Sequence, residues 1–100
     1  MTFEVFHRLV DIVARVAGVT RRAILGCSRM RVVVTARHVC SWLIRNLFGL
    51  SFPSTASALR QLDHTSAMNA CRQMEKEIRR GEGHRFELLL VVIGELAEAA

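Results

Sequence analysis

The chain has 100 residues, 51% of them apolar, with six glycines and one proline, and a mass of 11.3 kDa. That composition suits one globular core rather than two, and excludes a disordered polypeptide. Fourteen basic residues against nine acidic ones leave a charge of +5, and all of the excess sits in the middle: residues 12–62 hold eight arginines and no carboxylate, whereas residues 63–100 hold five basic and seven acidic side chains.

In chain order the punctuation is helical. Thr2 reads as an N-cap with Glu4 in the first turn, and Phe6, Leu9, Val10, Val13, Val16 and Ala17 repeat at helical spacing up to Gly18. Thr20 caps a short helix through Ile24 and Leu25, closed by Gly26, and Cys27 to Arg31 form a basic loop. The spacing then predicts a longer helix over about Val32–Phe48, with Val33, Ala36, Val39, Cys40, Leu43 and Leu47 inward and Arg37, His38, Ser41 and Arg45 outward. Ser51 caps the next helix, Pro53 occupies its first turn, and it ends near Leu59. Arg60-Gln61-Leu62 is a tight turn, and Asp63 is the N-cap of a helix whose buried stripe is Ala67, Cys71, Met74 and Ile78. Gly81 and Gly83 break that helix, and a last one runs over about 85–99 with Phe86, Leu89, Leu90, Ile93 and Leu96 inward. The expectation is an all-α domain over 1–100 with five to six helices and a helix-turn-helix at about 52–80.

Several function classes drop out on residue grounds. No GxxxxGK[ST] loop is present for nucleotide phosphates. Cys27, Cys40 and Cys71 form no CxxC pair and read as reduced thiols, while His7, His38, His64 and His84 are scattered. No metal site, cofactor site or nucleophile–base pair is expected, so the chain is read as a non-enzyme. The longest apolar run, Leu88 to Ile93, falls far short of the roughly 20 residues that span a bilayer. Glu4 and Asp11 interrupt the N-terminal apolar stretch, which has no basic head, so no signal peptide is expected and the protein is placed in the cytoplasm, with the nucleoid.

The acid-free basic block favours a polyanion, nucleic acid ahead of membrane. At the start of the helix after Asp63, the polar residues His64, Thr65, Ser66 and Asn69 share a face with Arg72. A recognition helix places such residues at base edges in the major groove. Taken alone, the same residues also describe an ordinary solvated helix face.

The segment from Leu62 to Glu75, with Asp63-His64-Thr65-Ser66 followed by Ala70-Cys71-Arg72, resembles the signature of the C-terminal DNA-binding domain of the DnaA family of bacterial replication initiators. Ser51-Phe52-Pro53, the loop Ser28-Arg29-Met30-Arg31 with Ala36-Arg37-His38, and the leading Val13-Ala14 and Ile24-Leu25 resemble that family upstream. The resemblance covers about residues 5–80. It implies double-stranded DNA as partner, with Asp63, His64, Thr65 and Ser66 reading bases, Arg29 entering the minor groove from its loop, and Arg31, Arg37, Arg45 and Ser51 on phosphates. Asn69 joins the base-reading set from its place on the helix, and His38, Arg60 and Arg72 join the phosphate set. With five or six phosphates neutralised, log K should fall with log salt at a slope of about −5.

Three departures stand out. The family's Gly-Gly-Arg is here Arg60-Gln61-Leu62, which removes easy positive-φ positions from the turn and one charge from the DNA face, and His38 replaces a glutamine. The family's ATPase domain is missing, so the chain is expected to be a free-standing relative that recognises a site, as a regulator of transcription or replication initiation, without melting it. The last helix is apolar all round at Leu88–Ile93: it is either a core helix or a homodimer or partner contact. The alternative from a different class is therefore a protein-interaction module whose DNA face has decayed.

Overall fold

A computed structural model describes residues 1–99; the last position of the expected 1–100 domain lies outside them. Six helices follow in order: α1 (Phe3–Ala17), α2 (Arg21–Ile24), α3 (Arg31–Phe48), α4 (Phe52–Ala58), α5 (His64–Arg80) and α6 (His84–Ala99). No strand occurs among the described residues. The all-α class is thus as expected.

Local chemistry sets the boundaries. Thr2, Thr20 and Ser51 each accept a hydrogen bond from the backbone N–H three residues on, and Asp63 accepts one from Thr65. Gly18, Gly49 and Gly81 end α1, α3 and α5 in the left-handed conformation that suits glycine.

The core joins Leu9, Val10 and Val13 of α1, Ile24 of α2, Val39, Leu43 and Ile44 of α3, Leu59, Met74 of α5, and Leu89 and Val92 of α6. Helix α3 runs through the middle, against α1, α2, α4, α5 and α6. Two phases differ from expectation. Leu47, expected inward, is exposed. In α6 the inward stripe is Leu89, Val92 and Leu96, while Leu90 and Ile93 face out, because an all-round apolar helix gives its sequence no phase to read.

The largest correction concerns the outer face assigned to α3. Arg37 and Ser41 are buried. The Arg37 guanidinium donates to four backbone carbonyls: Nε to Ile24 at 2.8 Å, Nη1 to Ser28 at 3.1 Å, and Nη2 to Ala23 at 3.0 Å and Gly26 at 3.1 Å. Helix α2 has only four residues, too few to hold itself in water. Its terminal carbonyls and the loop behind it are tied to α3 by this one side chain. Arg37 is a fold-holding residue, its guanidinium engaged by backbone carbonyls in place of the expected outward phosphate contact.

A second clamp fixes α6. Glu77 Oε1 accepts from the N–H of Arg85 at 2.9 Å and of Phe86 at 3.2 Å, and Oε2 accepts from Arg85 Nη1 at 2.7 Å. Gly83 lies at φ +129°, where a Cβ would run into the Glu77 carboxylate. Arg85 Nε then donates to His38 Nδ1 at 2.9 Å, which requires that nitrogen to be unprotonated. Burial, reinforced by Arg85 and Arg37, lowers the His38 pKa from 6.5 to about 4. Burial raises the Glu77 carboxyl, but the hydrogen bonds from Arg85 and Phe86 outweigh it and leave it below its usual value. His38 is therefore neutral with its Nδ1 engaged inside the fold, so it brings no positive charge to the phosphate contact expected of it.

Two outcomes follow for stability. Arg37→Ala should cost about 3–5 kcal/mol in urea denaturation, because one buried and three partly buried hydrogen bonds from a charged donor are lost, and Arg37→Lys should restore only part of it. The folded pKa of His38 lies below its unfolded one, so the unfolded chain binds more protons between them. Stability is full above pH 6.5 and falls as the pH drops toward 4, with Glu77 acting in the same direction. His38→Gln should remove about 2 kcal/mol of that acid loss, after allowance for its partial exposure, read from chemical denaturation at stepped pH.

Candidate nucleic-acid interface

The helix-turn-helix is α4, the turn 59–63, and α5. The turn closes α4 by two paired hydrogen bonds, from Gln61 N–H to Ala56 at 2.8 Å and from Arg60 N–H to Ser57 at 3.0 Å. This closing pattern places one residue in the left-handed region, normally glycine, and here Arg60 takes it at φ 57°. The turn forms without a glycine at this position, at a cost of roughly 1–2 kcal/mol in backbone strain.

Asp63 starts α5 by accepting from Thr65 N–H at 3.0 Å, and its Oδ1 lies 3.3 Å from His64 Nδ1. The hydrogen bonds from Thr65, backbone first and then hydroxyl, hold the Asp63 carboxyl below its usual range, helped by His64. Asp63 is thus an anion held in place by its capping role. His64, Thr65, Ser66 and Asn69 are all exposed. Thr65, Asn69, Arg72 and Lys76 step by four, three and four residues along one outer stripe, opposite the buried Ala67, Ala70, Cys71 and Met74. Lys76 was not singled out from sequence; its i+4 spacing from Arg72 was the available signal.

Ser66 and Asn69 line a small cleft with Arg37, His38 and Ser41 of α3 and Gln61 of the turn. That cleft brings the start of α5 beside the middle of α3. Along α3, Arg31, His38 and Arg45 step by seven residues, two turns each, so Arg31 and Arg45 flank the cleft about 21 Å apart along the axis. Arg45 lies 4.0 Å over the Phe52 ring and donates through Nη1 to Leu50 O at 2.6 Å, which fixes its planar head at the α3–α4 junction. Ser51, at that junction, is exposed, with its hydroxyl accepting from Ser54 N–H at 3.2 Å. Arg29 and Arg31 are exposed and line a second cleft with Val34, Thr35, His84 and Arg85. Arg60 and Arg72 are exposed.

The acid-free block is partly neutralised by partners outside it. Arg15 pairs with Glu95 at 3.1 Å, Arg21 pairs with Asp11 at 3.3 Å, and Arg37 is internal. Among the described residues, Arg22, Arg29, Arg31, Arg45 and Arg60 of the eight have no carboxylate partner. No group of three or more His, Cys, Asp or Glu side chains comes together among the described residues, and no described helix is long and apolar enough to cross a membrane.

Residues 6–74 match the family described as the bacterial dnaA protein helix-turn-helix. The chain is 35% identical over 86 residues to the chromosomal replication initiator protein DnaA of Agrobacterium fabrum, an overlap of 84% of this chain and 18% of that protein. It is 34% identical over 87 residues to the DnaA of Rhizobium johnstonii, with the same coverage of 84% and 18%, and 29% identical over 68 residues to that of a Synechococcus strain, covering 68% and 15%. The chain spans less than a fifth of the length of these curated relatives. The match ends inside α5, so α6 lies beyond it. With its paired helices, its Asp63-capped α5 and a match over more than two thirds of its length, the chain belongs to the bacterial DnaA helix-turn-helix family.

Proposed function

We propose that this chain, as one helical unit, binds double-stranded DNA in a sequence-specific way and acts as a binding module, not an enzyme. In this reading α5 enters the major groove by its first turns, where His64, Thr65, Ser66 and Asn69 meet base edges and Asp63 orients them. Arg29 and Arg31 reach the adjacent minor groove. Arg45, Ser51, Arg60 and Arg72, joined by Lys76, hold phosphates. The observation that carries this reading is the exposed polar stripe of α5, set beside a row of α3 whose arginines have no carboxylate to quench them. The role that fits is regulation of transcription or replication initiation at sites like those of the DnaA initiators.

A second reading rests on α6, where Leu90, Val91 and Ile93 remain 54%, 52% and 44% exposed. This face is proposed to pair with a second copy of the chain, in addition to DNA binding or, if the DNA face is inactive, as the chain's main contact.

Six cations on the DNA face predict a slope of log K against log salt of about −5 in fluorescence titrations with short duplexes. Thr65→Ala should cost about 1–3 kcal/mol of discrimination between a selected and a scrambled duplex, whereas Arg72→Ala should weaken both alike and flatten the slope by about 1. Absence of duplex binding at low salt would overturn the reading. Light scattering behind gel filtration should give twice the 11.3 kDa chain mass and the single-chain mass for Leu90→Glu; a monomer at high concentration would remove the second reading.

A further inference from the structure

Leu62 has a relative exposure of 106%, beyond any other large apolar side chain of the described residues, and it sits at the residue just before the α5 N-cap. Its neighbours in the turn are anchored: Leu59 is fully buried, and Gln61 donates its side-chain amide to the Leu59 carbonyl at 3.0 Å. Nothing in the fold holds the Leu62 side chain, so its identity is free to serve contact with something outside.

The surroundings narrow that contact. His64, Thr65, Ser66 and the cations Arg60 and Arg72 are polar and exposed, and no second large apolar side chain of α5 is exposed beside them. One leucine in a polar, cationic setting is too small a patch for a protein interface. It matches a surface that is polar and anionic with isolated apolar points, and in the major groove the only such point on a base edge is the thymine C5-methyl group.

We infer that Leu62 is a specificity-determining residue that reads a thymine methyl at the edge of the recognised site. This rests on the proposed entry of α5 into the major groove. A residue one step ahead of Asp63 lies at the same end of α5 as Thr65 and can touch the neighbouring base pair. An apolar group at this position contributes a base preference and no charge.

The test starts from a duplex selected by the full chain from a random pool, with each thymine replaced in turn by uracil, which lacks only the methyl group. One position, at an edge of the site, should weaken binding by the wild-type chain about fourfold, the value of one buried methyl group. Leu62→Ala should bind that uracil duplex and its thymine parent equally, while keeping the wild-type response at every other thymine. Leu62→Arg should also lose the thymine response and steepen the salt slope by about 1. The full exposure of Leu62 means that both variants keep the fold, checked by circular dichroism. Sequence-specific binding in which Leu62→Ala retains every uracil response overturns this inference alone. Failure to bind any duplex at low salt overturns both it and the reading on which it rests.

Discussion

A single buried guanidinium holds α2 and the basic loop behind it, on which the proposed DNA contact depends, against the central helix. Arg37 has four carbonyls of α2 and its following loop as partners, and no carboxylate among the described residues. A four-residue helix and a six-residue connection would otherwise have to be ordered by Ile24 and a few partly buried apolar contacts. Hydrogen bonds from a charged donor to buried carbonyls are among the stronger ones available to a protein, and leaving such carbonyls without a donor is costly. Through them the chain converts one charge of its basic block into rigidity. The product is a fixed path for Ser28, whose carbonyl is one of the four, and therefore for Arg29 and Arg31 next to it.

The same logic runs through the other half of the face. The Glu77 carboxylate caps α6 and holds Arg85, which in turn holds His38 on α3. Helices α5, α3 and α6 are thus linked through three polar side chains around a glycine whose backbone no other residue could follow without a clash. Arg45, stacked on Phe52, performs the equivalent service between α3 and α4. The Arg37 and Arg85 linkages take two cations out of the count that composition alone would assign to a polyanion partner, while Arg45 is held in place and stays in it. What remains is a smaller and better ordered set of cations, spaced along α3, the turn and α5.

Much of this was legible in the sequence because it is local. The caps Thr2, Thr20, Ser51 and Asp63 act within three residues of themselves, and Gly18, Gly49 and Gly81 act on their own backbone, so helix boundaries followed from residue type. The helix-turn-helix and its exposed start followed from the step of four and three in Ala67, Cys71 and Met74. What failed is non-local. Periodicity places Arg37 and Ser41 opposite the apolar stripe of α3, but it cannot show that α2 and its loop lie over that flank and need a donor. In the Glu77–Arg85–His38 chain the Arg85–His38 bond joins residues 47 positions apart and leaves no pattern. The phase of α6 was lost because leucine, valine and isoleucine occupy every side of it. The Arg60 turn shows a different limit: the missing glycines predicted difficulty, and the backbone takes the left-handed conformation all the same.

The account stands on the start of α5 and the Arg29–Arg31 loop forming one contact surface. The most direct measurement is a backbone amide chemical-shift titration of the whole chain with a short duplex. The account predicts the largest changes at residues 28–31 and 62–69, with the outer positions of α6, Leu90, Val91 and Ile93, unmoved by DNA. Changes confined to α6 or to the exposed side of α1, with residues 62–69 silent, would contradict it.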